Sequence, residues 1–211
     1  MSRRALACLI LLAIAACSPG EPAESAPSAS ASQARDSGRR EVAVFAGGCF
    51  WSTEASFERM PGVVSAVSGF AGGAGPAPTY EQVVRGGTGH LEAVQVTFDP
   101  ARITYRQLVD RFWRTIDPTD PDGQFCDQGP SYATAVFATA AQKPAADASR
   151  RAAAARIGAA RFVTPVRDAA RFWPAEAYHQ DFARLHPERY AGYTRFCGRA
   201  ARLRAVWGEA A

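Results

Sequence analysis

The sequence predicts one α/β or α+β domain with two layers, because strand-like and helix-like segments alternate along residues 41–208. Two patterns are the clearest. Residues 94–98 alternate between apolar and polar side chains, as in a half-buried strand, and residues 104–116 carry apolar side chains on one helical face. No internal repeat is evident between Arg40 and Gly208, and a length of 211 residues suits one domain with appendages.

The first predicted elements follow a strand–helix order. Residues 41–46 read as a short apolar strand that ends at a glycine pair, and residues 49–60 place apolar side chains at helical intervals. Residues 62–73 are predicted to form a second strand that ends in a glycine-rich turn. Residues 79–84 follow as a short helix with a threonine cap.

The second half of the chain continues this alternation beyond Asp99-Pro100, which stops a strand. Residues 117–130 form a long polar loop, and functional side chains are often carried on such loops. The remaining predicted elements are strands at 94–98, 132–139 and 162–166, and helices at 104–116, 140–158, 175–185 and in the run up to residue 207.

The N-terminal segment has the form of a secretion signal. Residues 1–16 contain two arginines followed by twelve apolar residues, which are too few to span a bilayer of roughly 20 helical residues. The segment ends in Ile14-Ala15-Ala16-Cys17, which resembles the bacterial lipobox, so Cys17 is the predicted lipidation site. The alternative is an ordinary signal peptide with an incidental cysteine. Residues 17–40 are predicted to be a flexible tether, which gives a lipid-anchored, extracytoplasmic protein.

The net charge argues against a nucleic-acid partner. Removal of Arg3 and Arg4 with the signal would lower the formal net charge from +4 to +2. A charge this small does not favour binding to nucleic acid or to an anionic surface.

Three of the five cysteines would remain after processing and lipidation: Cys49, Cys126 and Cys197. In an oxidising compartment an odd number is awkward for a purely structural framework, so one catalytic thiol with one or two partners fits better. No C-x-x-C pair is present, and His90 and His186 show no close pairing with cysteine, so the sequence predicts no metal site.

Cys49 lies at the predicted change from strand to helix, inside Gly47-Gly48-Cys49-Phe50-Trp51. A thiol in the first helical turn lies near unpaired N–H groups and the positive end of the helix dipole, and both favour the thiolate. The glycines permit a substrate to approach closely. The alternative is a buried structural cysteine, because free cysteine is among the most buried residue types.

Six motifs occur in the order found in one enzyme family. They are GGCFW, GVVSAVSGFAGG, APTYEQV, GHLEAVQV, CDQGPSY and EAYHQDF. In this order they resemble the A-type peptide methionine sulfoxide reductases over nearly all of residues 41–208. The resemblance implies a ferredoxin-like α+β sandwich with additional elements, and it implies reduction of methionine S-sulfoxide, both free and in proteins.

The resemblance also assigns the reaction centre. Cys49 would attack the sulfoxide sulfur and become a sulfenic acid. Phe50 and Trp51 match the aromatic pocket that holds the methyl group and selects the S epimer. For either aromatic residue alone, core packing is the competing interpretation.

The polar residues of the family's site have counterparts in this chain as well. Glu92 matches the proton donor, and a dry pocket beside aromatic rings would raise its pKa. Tyr80 and Tyr132 match the phenols that hydrogen-bond the sulfoxide oxygen, and Asp127 matches a carboxylate that orders the site and its water. The late helical motif contains His179 and Gln180, which we interpret as structural supports of the site rather than catalysts. A histidine general base is the alternative, but the mechanism does not require one.

The chain departs from the commonest family pattern at three places. Phe70 replaces a tyrosine, Cys126 stands where asparagine is common, and the C-terminus lacks the glycine-rich tail with its two recycling cysteines. Recycling of the sulfenic acid therefore has three candidate routes. Cys197 is the first choice as the resolving thiol, Cys126 is its rival, and direct reduction by an external thiol is the third.

The predicted function is thus that of a monomeric reductase with no bound cofactor, which uses a thioredoxin-like dithiol as reductant. It would leave the R epimer untouched, because no B-type domain is visible. Two alternatives remain open at this point. A thiol peroxidase would also form a sulfenic acid but would need neither a methyl pocket nor Glu92, and a non-catalytic lipoprotein would keep Cys49 inaccessible.

Overall fold

The computed structural model describes residues 38–208. The predicted signal peptide, the Cys17 lipidation site and nearly all of the predicted tether lie outside the described residues. The strands are β1 (Glu41–Gly47), β2 (Val63–Ala71), β3 (Leu91–Phe98), β4 (Gly123–Gln124), β5 (Asp127–Gln128), β6 (Thr134–Ala138), β7 (Val166–Asp168) and β8 (Phe172–Pro174). The α-helices are α1 (Phe50–Glu58), α2 (Tyr80–Arg85), α3 (Tyr105–Trp113), α4 (Lys143–Ile157), α5 (Phe182–Leu185), α6 (Pro187–Phe196) and α7 (Arg199–Trp207).

Six strands form one sheet in the order β7-β6-β1-β3-β2-β8. The β6–β7 pair is parallel, and the other four pairs are antiparallel. The inner strands β6-β1-β3-β2, connected through α1 and α3, have the β-α-β-β-α-β order of a ferredoxin-like domain. The predicted ferredoxin-like α+β architecture is therefore confirmed, with β7, β8 and the C-terminal helices as additional elements.

The helices α1, α3 and α4 bury their apolar faces on one side of the sheet. Phe45 of β1 packs against Phe57 of α1 and Phe112 of α3, with ring centroids 4.7 and 4.9 Å apart. The indole N–H of Trp113 donates to the Ser149 hydroxyl at 2.8 Å, which ties α3 to α4. This aromatic layer fixes α1, and with it the position of the residue that precedes α1.

The turn between β1 and α1 requires glycine. Gly48 has a φ of +75°, and a Cβ atom there would overlap the side chain of Gln124. The Gln124 side chain cannot move aside easily, because it accepts from the Asp117 N–H at 2.8 Å and donates to the Asp117 carbonyl at 2.7 Å. The turn is thus pressed against the loop that contains β4, and this contact places Cys49 at the start of α1.

Two predicted elements are wrong in detail. The strand predicted at 162–166 lies instead at β7, because the Arg150 guanidinium binds the carbonyls of Phe162 and Thr164. The helix predicted at 175–185 is interrupted at Asp181, whose φ is +56°. Within the loop predicted at 117–130, β4 and β5 form a two-residue antiparallel pair.

The C-terminal run folds as a helix, as the sequence predicted. Trp207, at the end of α7, donates its indole N–H to the carbonyl of Ile116 at 2.9 Å, so α7 packs back onto the end of α3. Across residues 38–208, every helix is too short or too polar to cross a lipid bilayer.

Candidate active site

Cys49 is the N-cap residue of α1 and is 6% exposed. Its carbonyl oxygen accepts from the N–H groups of Ser52 and Thr53, each at 3.2 Å, which starts the helix. The thiol lies in a closed site with the Tyr193 hydroxyl as a hydrogen-bond partner. It is the free cysteine of the described part of the chain.

The expected preference for thiolate at Cys49 is wrong for this resting state. The pKa of the thiol is raised to about 12, mainly by burial and in part by the nearby carboxyls of Glu92 and Asp127. Hydrogen bonds from the Tyr193 hydroxyl and the Ser52 N–H act in the opposite direction. Desolvation and two nearby acids outweigh the helix N-terminus, so Cys49 rests as a thiol.

Glu92 lies on β3 and is 1% exposed. Its Oε2 accepts from the Phe50 N–H at 2.9 Å, and this N–H belongs to the residue directly after Cys49. Burial raises the pKa of the carboxyl to about 8; Asp127 adds to the rise, and the Phe50 N–H partly offsets it. The predicted rise in pKa is confirmed, and Glu92 is mainly a neutral acid near pH 7.

Tyr80 and Tyr132 lie together near this acid, although they come from α2 and from a 3₁₀ turn at Pro130–Tyr132. Burial is the main cause that raises the pKa of each phenol, and Glu92 is the second. A hydrogen bond joins the two hydroxyls. Both phenols therefore remain neutral donors beside Glu92.

Aromatic rings close one side of the site. Phe50 is 1% exposed, and the ring of Trp51 stacks on that of Phe182 with a centroid separation of 3.6 Å. The His179 ring packs against Phe50 at 4.8 Å and Tyr80 at 4.4 Å. These aromatic rings therefore pack in the core and also form a wall of the site beside the reacting groups.

His179 and Gln180 hold this wall in place. The Trp51 indole N–H donates to His179 Nδ1 at 3.1 Å, so this histidine is a neutral acceptor. The Gln180 side chain accepts from the Ser68 N–H at 2.9 Å and donates to the carbonyls of Ser68 and Ala175 at 2.9 and 3.1 Å. Gln180 thus anchors the segment to β2.

Asp127 connects the site to the other two cysteines. Its Oδ2 accepts a short hydrogen bond from the hydroxyl of Tyr193, which also bonds the thiol of Cys49. Cys126 precedes Asp127, and Cys197 lies one helical turn after Tyr193. Each partner in the Tyr193–Asp127 hydrogen bond therefore has a cysteine close by in the chain.

Cys126 and Cys197 are joined by a disulfide bond with a Cα–Cα separation of 4.8 Å. Cys126 is exposed and Cys197 is half-buried, so solvent reaches the bond from the Cys126 side. The ligand atoms of Asp127 and the two cysteines lie within 4.8 Å of one another. The disulfide occupies both sulfurs, however, and leaves no thiolate for a metal ion in this state.

Comparison with known proteins shows the family of this chain. The family described as peptide methionine sulfoxide reductase matches residues 41–211. The chain is 49% identical to peptide methionine sulfoxide reductase MsrA 2 of Caulobacter vibrioides over 170 residues, which covers 81% of this chain and 87% of that protein. This chain belongs to the peptide methionine sulfoxide reductase family. It is an oxidoreductase that reduces methionine sulfoxide.

Further relatives of the reductase support the same assignment. The MsrA of Bacillus licheniformis is 44% identical over 173 residues, covering 81% of this chain and 96% of that protein. Methionine sulfoxide reductase A of Corynebacterium diphtheriae superposes with a TM-score of 0.64 at 32% identity, covering 70% of this chain and 76% of that one. Reduced Mxr1 of Saccharomyces cerevisiae gives 0.65 at 29% identity, covering 72% and 89%. Neither a thiol peroxidase nor a non-catalytic lipoprotein is favoured.

Sequence reasoning missed two residues of the reductase site, Tyr193 and Arg199, and one further buried acid, Glu54 of α1. The local sequence does not indicate that Tyr193 is a site residue, because none of the ten residues of α6 is buried. Glu54 is 2% exposed, and its carboxyl accepts from the Asp181 N–H at 3.1 Å. Burial raises the pKa of this carboxyl to about 7.

The raised pKa of Glu92 predicts a dependence of stability on pH. The folded state favours the neutral carboxyl, so the stabilisation is complete below the unfolded pKa near 4.5 and is lost as the pH rises through about 8. We expect Glu92→Gln to remove this loss. At pH 8.5 the variant should be more stable than the wild type by at least about 1.4 kcal/mol, the equivalent of one pKa unit.

Urea unfolding from about pH 4.5 to pH 8.5 measures this difference. Glu81→Gln is the matched control, because Glu81 is exposed, and it should leave the pH slope unchanged. Parallel slopes for the wild type and Glu92→Gln would show that the Glu92 carboxyl does not titrate in this range.

Proposed function

We propose that this reductase acts on the S epimer of methionine sulfoxide, both free and in proteins, with Cys49 as the nucleophile. The observation that carries the proposal is the hydrogen bond between the Phe50 N–H and Glu92, which places a neutral acid beside the residue that bears the thiol. The role would be repair of oxidised methionine under oxidative stress.

The first step requires both a nucleophile and an acid. The Cys49 sulfur attacks the sulfoxide sulfur while Glu92 gives its proton to the departing oxygen, and the thiol proton replaces the one that Glu92 loses. An S–S bond forms to the substrate as its S–O bond breaks, and the protonated oxygen leaves as hydroxide. This hydroxide then attacks the Cys49 sulfur, the S–S bond breaks with its electron pair on the substrate sulfur, methionine leaves as the thioether, and Cys49 becomes the sulfenic acid. This exchange of protons suits the site, because burial disfavours a state in which Cys49 and Glu92 are both ionised.

The other site residues bind and orient the substrate. The hydroxyls of Tyr80 and Tyr132 donate to the sulfoxide oxygen, which strengthens as an acceptor as the S–O bond breaks. The rings of Phe50 and Trp51 accept the methyl group and exclude water. Asp127 orders the site through the hydroxyl of Tyr193. With the oxygen and methyl positions fixed, one configuration at sulfur fits.

The activity and its stereochemistry can be tested in one assay. The purified domain from Arg40 onward is incubated with separated S and R epimers of methionine sulfoxide and with dithiothreitol. We expect turnover of the S epimer alone. Cys49→Ser should abolish turnover, and Glu92→Gln should lower the rate constant for methionine release by a factor of about 10² to 10⁴, as is typical of loss of a general acid.

The Glu81→Gln variant, which changes an exposed carboxylate, is again the control and should retain full activity. Full activity of Glu92→Gln would remove Glu92 as the acid. Turnover of neither epimer, combined with consumption of hydrogen peroxide, would instead favour a peroxidase.

We further propose that recycling passes through both remaining cysteines. The Cys197 thiol attacks the sulfenic sulfur of Cys49, which forms a disulfide and releases water. Cys126 then attacks Cys197, which frees the Cys49 thiol and leaves the Cys126–Cys197 disulfide. A thioredoxin-like dithiol returns this disulfide to two thiols. The exposure of Cys126 supports the last step, because an external protein can approach this residue.

The recycling order predicts how much methionine a fully reduced enzyme forms without added reductant. The wild type should yield about two methionines per chain, since Cys49 is freed once and reacts again. Cys126→Ser should yield about one and accumulate a Cys49–Cys197 disulfide, because only one resolving thiol remains. Peptide mapping by mass spectrometry identifies the bond.

Two results would contradict this order. A Cys49–Cys126 disulfide in the wild type during the first turnover would make Cys126 the resolving thiol. A yield near one from the wild type, with no new disulfide, would indicate that an external thiol reduces Cys49 directly.

We also propose that the enzyme is a lipoprotein held outside the cytoplasm by Cys17. The lipobox-like Ile14-Ala15-Ala16-Cys17 and the polar, small-residue segment after it support the proposal. The substrates would then be oxidised envelope proteins, and reducing equivalents would have to cross the membrane.

Phase partition in Triton X-114 tests the lipid anchor. The full chain produced in a bacterial host should enter the detergent phase, and Cys17→Ala should remain in the aqueous phase. Cys8→Ala is the matched control, because this cysteine lies within the predicted signal, and it should behave like the wild type. Recovery of Cys17→Ala with the detergent would contradict lipidation at this residue.

A further inference from the structure

Arg199 is a buried cation at the start of α7. The turn at Gly198, with a φ of +61°, directs the first residue of α7 inward, and Arg199 is 9% exposed. Among residues 38–208, no carboxylate lies within salt-bridge distance of its guanidinium. Arg202 on the same helix differs in this respect, because it pairs with Asp117 at 2.5 Å.

The contacts of the Arg199 guanidinium place it against the residue that precedes Cys126 in the chain. Its central carbon lies 4.4 Å from the ring centroid of Phe125, the residue directly before Cys126. One guanidinium nitrogen also donates a short hydrogen bond to the carbonyl of Thr115. Arg199 itself follows Cys197 by two residues, so both chain segments that supply the disulfide contact or carry this side chain.

The electrostatic neighbours of Arg199 belong to the active site. Burial lowers the pKa of the guanidinium, whereas Tyr190, Tyr193, Cys49 and Asp127 act to raise it. In return, Arg199 lowers the pKa of Asp127, against the rise that burial causes. A surface depression at Cys197 adds three charged groups: Asp117, Asp120 and Arg202. A buried cation is costly unless an anion forms beside it.

We propose that Arg199 is a positioning residue for recycling, whose guanidinium stabilises Cys197 as a thiolate. This inference rests on the proposed role of the disulfide in the reductase cycle. A thiolate of the external dithiol attacks the exposed sulfur of Cys126, the S–S bond breaks, and its electron pair leaves on Cys197 beside Arg199. The second thiol of the dithiol then displaces Cys126 from the mixed disulfide.

The same charge assists the next turnover. The Cys197 thiolate attacks the sulfenic sulfur of Cys49, a new S–S bond forms, and hydroxide leaves and takes up a proton to become water. Arg199 therefore favours a good leaving group in one step and a reactive nucleophile in the other, without contacting the substrate.

The test uses the Cys49→Ser background, in which only the Cys126–Cys197 pair remains among the described cysteines. Alkylation of Cys197 by iodoacetamide is followed against pH in the reduced protein by mass spectrometry. We expect Arg199→Gln to move the midpoint of the rate profile up by about one pH unit or more. Arg199→Lys should restore most of the shift, because it keeps the charge. Arg204→Gln, which changes an exposed arginine on the same helix, is the control.

A second readout is the equilibrium of the disulfide with dithiothreitol. With the stabilised thiolate lost, Arg199→Gln should shift this equilibrium towards the disulfide by about tenfold, the equivalent of one pKa unit. Arg199→Lys and Arg204→Gln should stay near the starting value. A merely structural role of Arg199 would not follow the charge in this way.

Equal alkylation profiles for the protein that retains Arg199 and for the Arg199→Gln variant, both with the native circular dichroism spectrum, would overturn the proposal. If Arg199→Gln does not fold, the alkylation profile of the protein that retains Arg199 tests the proposal by itself. A midpoint for Cys197 above the ordinary thiol pKa of about 8.5 contradicts the proposal. These measurements need no sulfoxide. Failure of the reductase assay would therefore leave them interpretable, and their failure would leave the assignment of Cys49 intact.

Discussion

The active site depends on one hydrogen bond, from the Phe50 N–H to the carboxyl of Glu92. The N–H groups at the start of a helix lack partners within the helix, and a buried carboxyl needs a donor, so one bond satisfies both requirements. It also joins two elements that are 42 residues apart, because α1 begins at Phe50 and Glu92 belongs to the inner strand β3. Since Cys49 directly precedes Phe50, the bond that anchors the helix also brings the thiol to the acid.

A consequence of this packing is that burial disfavours negative charge in the resting site. Cys49, Glu92 and Asp127 are all acids, and burial is the main cause that raises the pKa of each. Neighbouring carboxyls raise the pKa of Cys49 and Glu92 as well. Tyr193 connects two of them through its hydroxyl. Reaction by exchange of a proton between Cys49 and Glu92 avoids a build-up of negative charge, which a preformed thiolate would create. The buried guanidinium of Arg199 is the nearby positive charge, and it lies on the side of the site where the disulfide forms.

The architecture of the domain was predictable because its signals are local. Periodic apolar side chains, caps and glycine pairs identified the inner strands and α1 to α4. The ordered motifs identified the family and predicted roles for Cys49, Glu92, Tyr80 and Tyr132. The elements that were mispredicted have non-local causes. Arg150 takes the carbonyls that a strand at 162–166 would have used, and the Gln180 side chain bonds the backbone of β2. No periodicity in the sequence reports such competition for backbone groups.

The sequence by itself determined the fold class and the family, because these follow from residue order and short-range patterns, and the same motifs predict Cys49 as the nucleophile. The tertiary structure decided the protonation state of the site's ionisable groups. The helix position of Cys49 favours a thiolate, but desolvation and neighbouring acids reverse this preference, and both depend on residues distant in the chain. Likewise, Tyr193 reaches Asp127 across 66 residues, and Cys126 meets Cys197 across 71. Only the folded chain brings such pairs together, so their chemistry cannot be read from spacing.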